Sequence, residues 1–110
     1  TEMCAASKVS AVIDYERVPV LDRALIDHYL DENCVPGGTH RNWDSYGHHV
    51  APLPQRQRLL LCDPQTSGGL LVAVSDRSLE AFQREAAKLG LALEPFGQVT
   101  PKEEYLVRVR

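Results

Sequence analysis

Asp63-Pro64-Gln65-Thr66-Ser67-Gly68-Gly69-Leu70-Leu71-Val72-Ala73-Val74-Ser75-Asp76 places a turn, an apolar run and a helix cap in direct succession. Pro64 fixes its own φ and restrains Asp63 before it. Gly68 and Gly69 permit backbone angles closed to other residues, so the chain can bend sharply here. Leu70–Val74 is short and wholly apolar, the pattern of a central strand. Ser75 or Asp76 then caps a helix that Gly90 ends. Within it Leu79, Phe82, Ala86 and Leu89 recur three or four residues apart and predict one buried face. A strand feeding a helix in this way points to a mixed α and β class.

Working outward, Val9, Ala11 and Ile13 alternate with Ser10, Val12 and Asp14 and predict a strand. Pro19 and Asp22 open a helix to about Glu32, because Pro suits a first turn and an acid there complements the dipole. Its Leu21, Leu25 and Tyr29 share a face that Ile26 and Leu30 widen, and Pro36-Gly37-Gly38 is expected to stop it. Residues 36 to 55 are the least regular part, with a short helix expected around Arg41 to Tyr46. Leu59, Leu60 and Leu61 lead into the loop. Leu91 to Leu93 and Phe96 to Val99 suggest a further extended segment. Tyr105, Val107 and Val109 alternate with Arg108 and Arg110 as a half-exposed closing strand. The sum is an α+β, two-layer domain: a mixed, largely antiparallel sheet of about four strands, with two main helices packed on it.

The 110 residues match one domain able to bury a core without staples. A hydrophobic fraction of 44% and a charged fraction of 25% are those of an ordinary globular protein. With a formal net charge of −3, no broad basic surface for DNA or RNA is expected. No apolar run approaches the roughly 20 residues of a membrane helix, so no membrane partner is expected either. The three cysteines, Cys4, Cys34 and Cys62, are widely spaced and form no CxxC, a pattern of reduced thiols in a cytoplasmic protein. Thr1 to Ser7 reads as the end of a helix, so the chain is expected to be truncated from a longer one.

Two stretches carry the chemistry. In the first, Thr66, Ser67, Gly68 and Gly69 offer hydroxyls and successive N–H groups that suit an anion nest, while the same residues also make an ordinary turn feeding a strand. The spacing is not that of a Walker loop. In the second, Gly37-Gly38-Thr39-His40-Arg41-Asn42 offers backbone amides, a hydroxyl, a guanidinium fork and a side-chain amide. That set suits a phosphate or a carboxylate, and a helix starting near Thr39 would add its dipole. A helix stop followed by Thr39 as N-cap uses the same residue types. No metal site is expected: His48 and His49 are adjacent, His28 reads as a hydrogen-bonded packing residue, and Cys62 has no partner at ligand spacing. All three thiols read as buried and structural, since none has a base or a helix N-terminus to activate it.

The run Leu60-Leu61-Cys62-Asp63-Pro64-Gln65-Thr66-Ser67-Gly68-Gly69-Leu70-Leu71 closely resembles a segment of the selenophosphate synthetases, the selenide, water dikinases. Met3-Cys4-Ala5-Ala6-Ser7 resembles the end of a helix in that family. Val35-Pro36-Gly37-Gly38-Thr39-His40-Arg41-Asn42, continued by Ser45-Tyr46-Gly47-His48, resembles its PGGTxRN motif, and Tyr105 to Arg110 its last strand. The resemblance implies the C-terminal domain of an enzyme related to aminoimidazole ribonucleotide synthetase, which makes selenophosphate, AMP and phosphate from selenide, ATP and water. It implies Mg and ATP as cofactors of the intact enzyme, held by an N-terminal domain that also carries the reactive Cys or selenocysteine, an essential Lys and the homodimer contact. None of those positions is matched here, so Cys4, Cys34, Cys62, Asp14 and Asp63 receive no catalytic role. No cofactor is expected on this chain alone. Gly37, Gly38, Thr39, Arg41, Asn42 and Thr66 to Gly69 are expected to line the interdomain cleft. The alternative is a stand-alone interaction domain of the same fold without catalysis.

Overall fold

Val9–Ile13, rich in β-branched residues, becomes the central strand β1 of a three-stranded sheet in the computed structural model, which describes residues Thr1–Arg110. Strand β2 (Gly97–Pro101) runs antiparallel to it, with Val9 opposite Pro101 and Ile13 opposite Gly97. Strand β3 (Val107–Val109) lies parallel on the other side, with Ala11 opposite Val107. The order is therefore β2-β1-β3. Helix α1 (Glu2–Ser7) precedes β1 and ends at Lys8, whose φ of 55° turns the chain into the strand. Beneath the sheet Cys4, Leu106 and Val107 form the core, with Val9, Ala11, Ile13, Val50 and Val109 packed around it.

Ser10 is buried within β1 and ties the sheet to the bend before β3. Its Oγ donates to the Tyr105 carbonyl at 2.7 Å and accepts from the Glu103 N–H at 2.8 Å. Both lone pair and proton are thus used, as a buried hydroxyl requires.

Helix α2 (Arg23–Asp31) is capped by Asp22, whose Oδ1 accepts from the Leu25 N–H at 3.0 Å. It ends where Asn33 takes a φ of 56°, ahead of the Pro-Gly-Gly triplet. Pro36-Gly37-Gly38 does not stop a helix but starts one. Helix α3 (Gly37–Tyr46) begins four residues before the expected Arg41, because Pro36 holds an extended ψ of 140° at the N-cap. Glycines in a first turn forfeit no intrahelical hydrogen bond, since those N–H groups have no partner anyway.

Leu59, Leu60 and Leu61 belong to a further helix, α4 (Gln55–Leu61), introduced by Pro54. Gln, Arg and Leu all favour helix, and the three successive leucines concealed the period. Helix α5 (Asp76–Lys88) ends in a Schellman motif. Gly90, at φ 73°, donates to the Ala87 carbonyl and Leu91 to that of Ala86, each at 3.0 Å.

The domain is α+β, but the sheet has three strands rather than about four, one pair antiparallel and one parallel. Leu70–Val74 is not a strand. It makes no backbone–backbone hydrogen bond, and Leu70 is 95% exposed. Both edges of β1 are already taken, and the outer side of β3 is met by Val50, with the Ala51 N–H bonded to the Val107 carbonyl. Leu91 to Leu93 likewise remains outside the sheet. The helix faces are less covered than their periodicity predicts: on α5 only Ala86 is buried, and Leu89, Leu25 and Tyr29 are exposed. His28 is exposed too, not a packing residue.

Candidate functional site

Helix α3 is fixed at its far end by the segment after it. The Leu106 N–H donates to the His49 carbonyl at 2.9 Å, and the Tyr46 hydroxyl donates to Glu2 Oε1 at 3.0 Å. Midway, the Arg58 guanidinium of α4 lies 5.1 Å from the centre of the Trp43 ring, a cation–π contact between the two helices. The N-terminal turn of α3 is thereby held against the loop that leaves α4.

Two contacts make that junction. Asn42 Nδ2 donates to the Cys62 carbonyl at 2.9 Å, satisfying a group at the C-terminal end of α4 that the helix itself leaves open. Pro64 lies so close to Gly38 that a Cβ there would stand 2.7 Å from Pro64 Cγ. Only glycine permits this approach.

Arg41 leans back along the helix, as helical side chains do, toward the start of α3. Its Nη1 is 3.6 Å from the position a Gly37 Cβ would take, and its Nη2 is 3.7 Å from that of Gly38. Arg41 remains exposed and forms none of the ion pairs of the molecule. Thr39, only 1% exposed, bonds its N–H to the Pro36 carbonyl at 3.0 Å, while its Oγ1 has no partner. A guanidinium fork beside helix-start amides is suited to a phosphate-like anion.

The structure therefore joins the two sequence-predicted stretches at their inner ends, through Gly38, Asn42, Cys62 and Pro64. It does not bring Thr66, Ser67, Gly68 and Gly69 onto Arg41. These four are exposed, and Gly69 has open space around it. Ser67, Gly68 and Gly69 instead edge an open cleft of about 890 Å³, floored by Ile26, Tyr29 and Leu30 of α2 and by Leu59 and Leu60 of α4. Trp43, Arg58 and the packing role of Pro64 escaped the sequence reading. A proline spaced to meet a glycine pair is invisible without the fold. The basic residues of Gln55-Arg56-Gln57-Arg58, ahead of three leucines, were the available signal for the α4 contact.

The thiols divide. Cys4 is buried in the core, whereas Cys34 is exposed and Cys62 half-buried, so only the first is the buried structural thiol expected of all three. Burial pushes the Cys62 thiol above its ordinary range, and the nearby Arg58 charge only partly opposes this. A thiol held protonated at the C-terminal end of a helix is a poor nucleophile. No group of three or more His, Cys, Asp or Glu side chains is placed to hold a metal ion.

A family profile described as AIR synthase related protein, C-terminal domain, matches residues 1–110. The chain is 52% identical to the selenide, water dikinase of Pseudomonas aeruginosa over 108 residues, which are 98% of this chain and 31% of that protein. It is 55% identical to the selenide, water dikinase of Bordetella bronchiseptica over 108 residues, again 98% of this chain and 31% of the relative. With that of Colwellia psychrerythraea it shares 55% over 98 residues, 89% of this chain and 28% of the relative. The chain thus spans less than a third of the length of these curated relatives.

Proposed function

The chain belongs to the AIR synthase related protein, C-terminal domain family, and on that premise we propose that it is the carboxy-terminal part of a selenide, water dikinase. In that reading residues 1–110 are one truncated C-terminal domain, and the intact cytoplasmic enzyme makes selenophosphate, AMP and phosphate from selenide, ATP and water. This part contributes a wall of the interdomain cleft, while catalysis, nucleotide binding and the homodimer contact reside in the remainder. Identity of about half the residues over almost the whole chain supports the assignment.

One observation carries the cleft role: the unpaired Arg41 fork folded over Gly37 and Gly38 at the start of α3, on a turn braced by Pro64 and Asn42. Positioning plus charge stabilisation is most of what phosphoryl transfer asks of a protein, and a braced cation supplies both. Magnesium does not fit this corner, because Mg²⁺ takes carboxylate oxygens and the corner offers a guanidinium and amides. Asp63 is the single acid among the residues lining the open cleft, and Asp27 and Asp31 of α2 are already bound to Arg56, with Nη2–Oδ1 and Nη1–Oδ1 distances of 2.9 and 2.6 Å. The metal and the nucleotide are therefore assigned to the rest of the enzyme.

Arg41→Ala and Thr66→Ala in the intact dikinase test the cleft role. Both are expected to lower selenophosphate yield per ATP consumed; unchanged consumption and yield in both variants would leave these loops purely structural. Calorimetric titration of the 110-residue chain with Mg-ATP is expected to show no stoichiometric binding, and tight binding would place the nucleotide apparatus here after all.

A further inference from the structure

We infer that Arg56 is a positioning residue for the Arg41 corner: one guanidinium on α4 pins α2, and through α2 the glycine turn on which α3 begins. The inference deepens the cleft reading and rests on it. Nε and Nη2 of Arg56 donate to Asp27 Oδ1 at 3.3 and 2.9 Å. Nη2 also donates to the Asp27 carbonyl at 3.0 Å, and Nη1 to Asp31 Oδ1 at 2.6 Å. Asp27 and Asp31 stand one turn apart on α2, where two carboxylates repel each other unless a cation lies between them. Exposed ion pairs contribute little singly, but a planar fork that holds two carboxylates and a carbonyl fixes direction as well as distance. A lysine ammonium has no such fork.

The grip is passed on by the backbone. Between Asp31 and Gly37 every N–H is engaged: that of Glu32 with the His28 carbonyl at 3.1 Å, Asn33 with Leu30 at 3.1 Å, Cys34 with Tyr29 at 2.8 Å and Val35 with Asn33 at 3.0 Å. Pro36 has no N–H to engage. A connection tied in this way absorbs little movement, so a shift of α2 reaches Gly37 and Gly38, beside which the Arg41 guanidinium lies. Helix α4 holds the other side of the same corner, through Arg58 on the Trp43 ring and the Cys62 carbonyl on Asn42. Arg56 and Arg58, two residues apart, leave α4 in different directions and so reach different neighbours. Helix α4 thus braces α3 directly and its approach through α2.

Hydrogen exchange in the 110-residue chain tests the brace without any activity. Arg56→Gln is expected to speed exchange of the Cys34 and Thr39 amides by about threefold or more, with the Ala11 amide of β1 unchanged. Should Arg56→Gln fail to fold, Asp31→Asn removes one arm of the fork and is read in the same way. In the intact dikinase, Arg41→Ala, Arg56→Gln and the double variant form a cycle read as selenophosphate yield per ATP consumed. Arg56→Gln is expected to lower the yield, and to lower it little further once Arg41 is gone. Full yield in Arg56→Gln, strictly additive losses, or unaltered exchange at Cys34 and Thr39 would each overturn the inference and leave the cleft reading in place. Full yield in Arg41→Ala would instead overturn the cleft reading, and the inference with it.

Discussion

Glycine 38 shows how much one missing Cβ decides. Gly38→Ala gains helix propensity of up to about 1 kcal/mol but drives a methyl into Pro64, an overpacking cost of about 1–3 kcal/mol. Urea denaturation is expected to show net destabilisation, relieved when Pro64→Ala is added. Gly69→Ala meets nothing within 4 Å, and its φ lies outside the left-handed range. It is expected to be neutral or stabilising by about 0.4–1 kcal/mol through the unfolded chain. The cysteines give a second test. The raised pKa of Cys62 means less thiolate at any given pH, so alkylation at neutral pH should label exposed Cys34 first, Cys62 later and buried Cys4 last. The same shift fixes a sign: the folded state keeps the Cys62 proton longer than the unfolded chain does. That stabilisation is fully present below the ordinary thiol range and is lost as pH rises past it and through the raised value of the folded state.

At the scale of elements, β1 depends on a single hydroxyl for its grip on the following bend. Ser10→Ala leaves the Glu103 N–H and one lone pair of the Tyr105 carbonyl unmatched, and is expected to cost about 1–3 kcal/mol by thermal or urea unfolding. Elements whose signals are local were legible in the sequence. Alternation announced β1, Asp22 marked the start of α2, and Ser75 with Gly90 bracketed α5. Pro36-Gly37-Gly38 was misread because the same residues punctuate the end of one helix and the beginning of the next. Leu70–Val74 was misread for a different reason. Its composition states a preference for strand, but a ladder needs a second backbone, and no periodicity reports where that backbone lies. The candidate site was legible as residue types, in Gly37 to Asn42 and Thr66 to Gly69. Its bracing by Pro64 and the Cys62 carbonyl joins positions far apart along the chain, so it became visible only with the fold.

The whole molecule is more open than its length suggests. Its radius of gyration is 15.1 Å, against about 13 Å for a compact domain of this size, and only eight of 110 residues are buried. Unfolding therefore uncovers less new surface than usual. The urea m-value is expected to fall below that of a compact domain of equal length. An m-value typical of a compact domain would contradict so exposed a surface.

The sheet joins parts of the chain that are made at very different times. Ser10 waits for Tyr105, 95 residues further on, and both neighbours of β1 come from the final strands. Residue-by-residue synthesis thus delivers the middle of the sheet long before either flank exists. Until the flanks arrive Val9–Ile13 has no ladder and no lid, which makes folding slow and leaves the nascent chain dependent on whatever shields it at the ribosome.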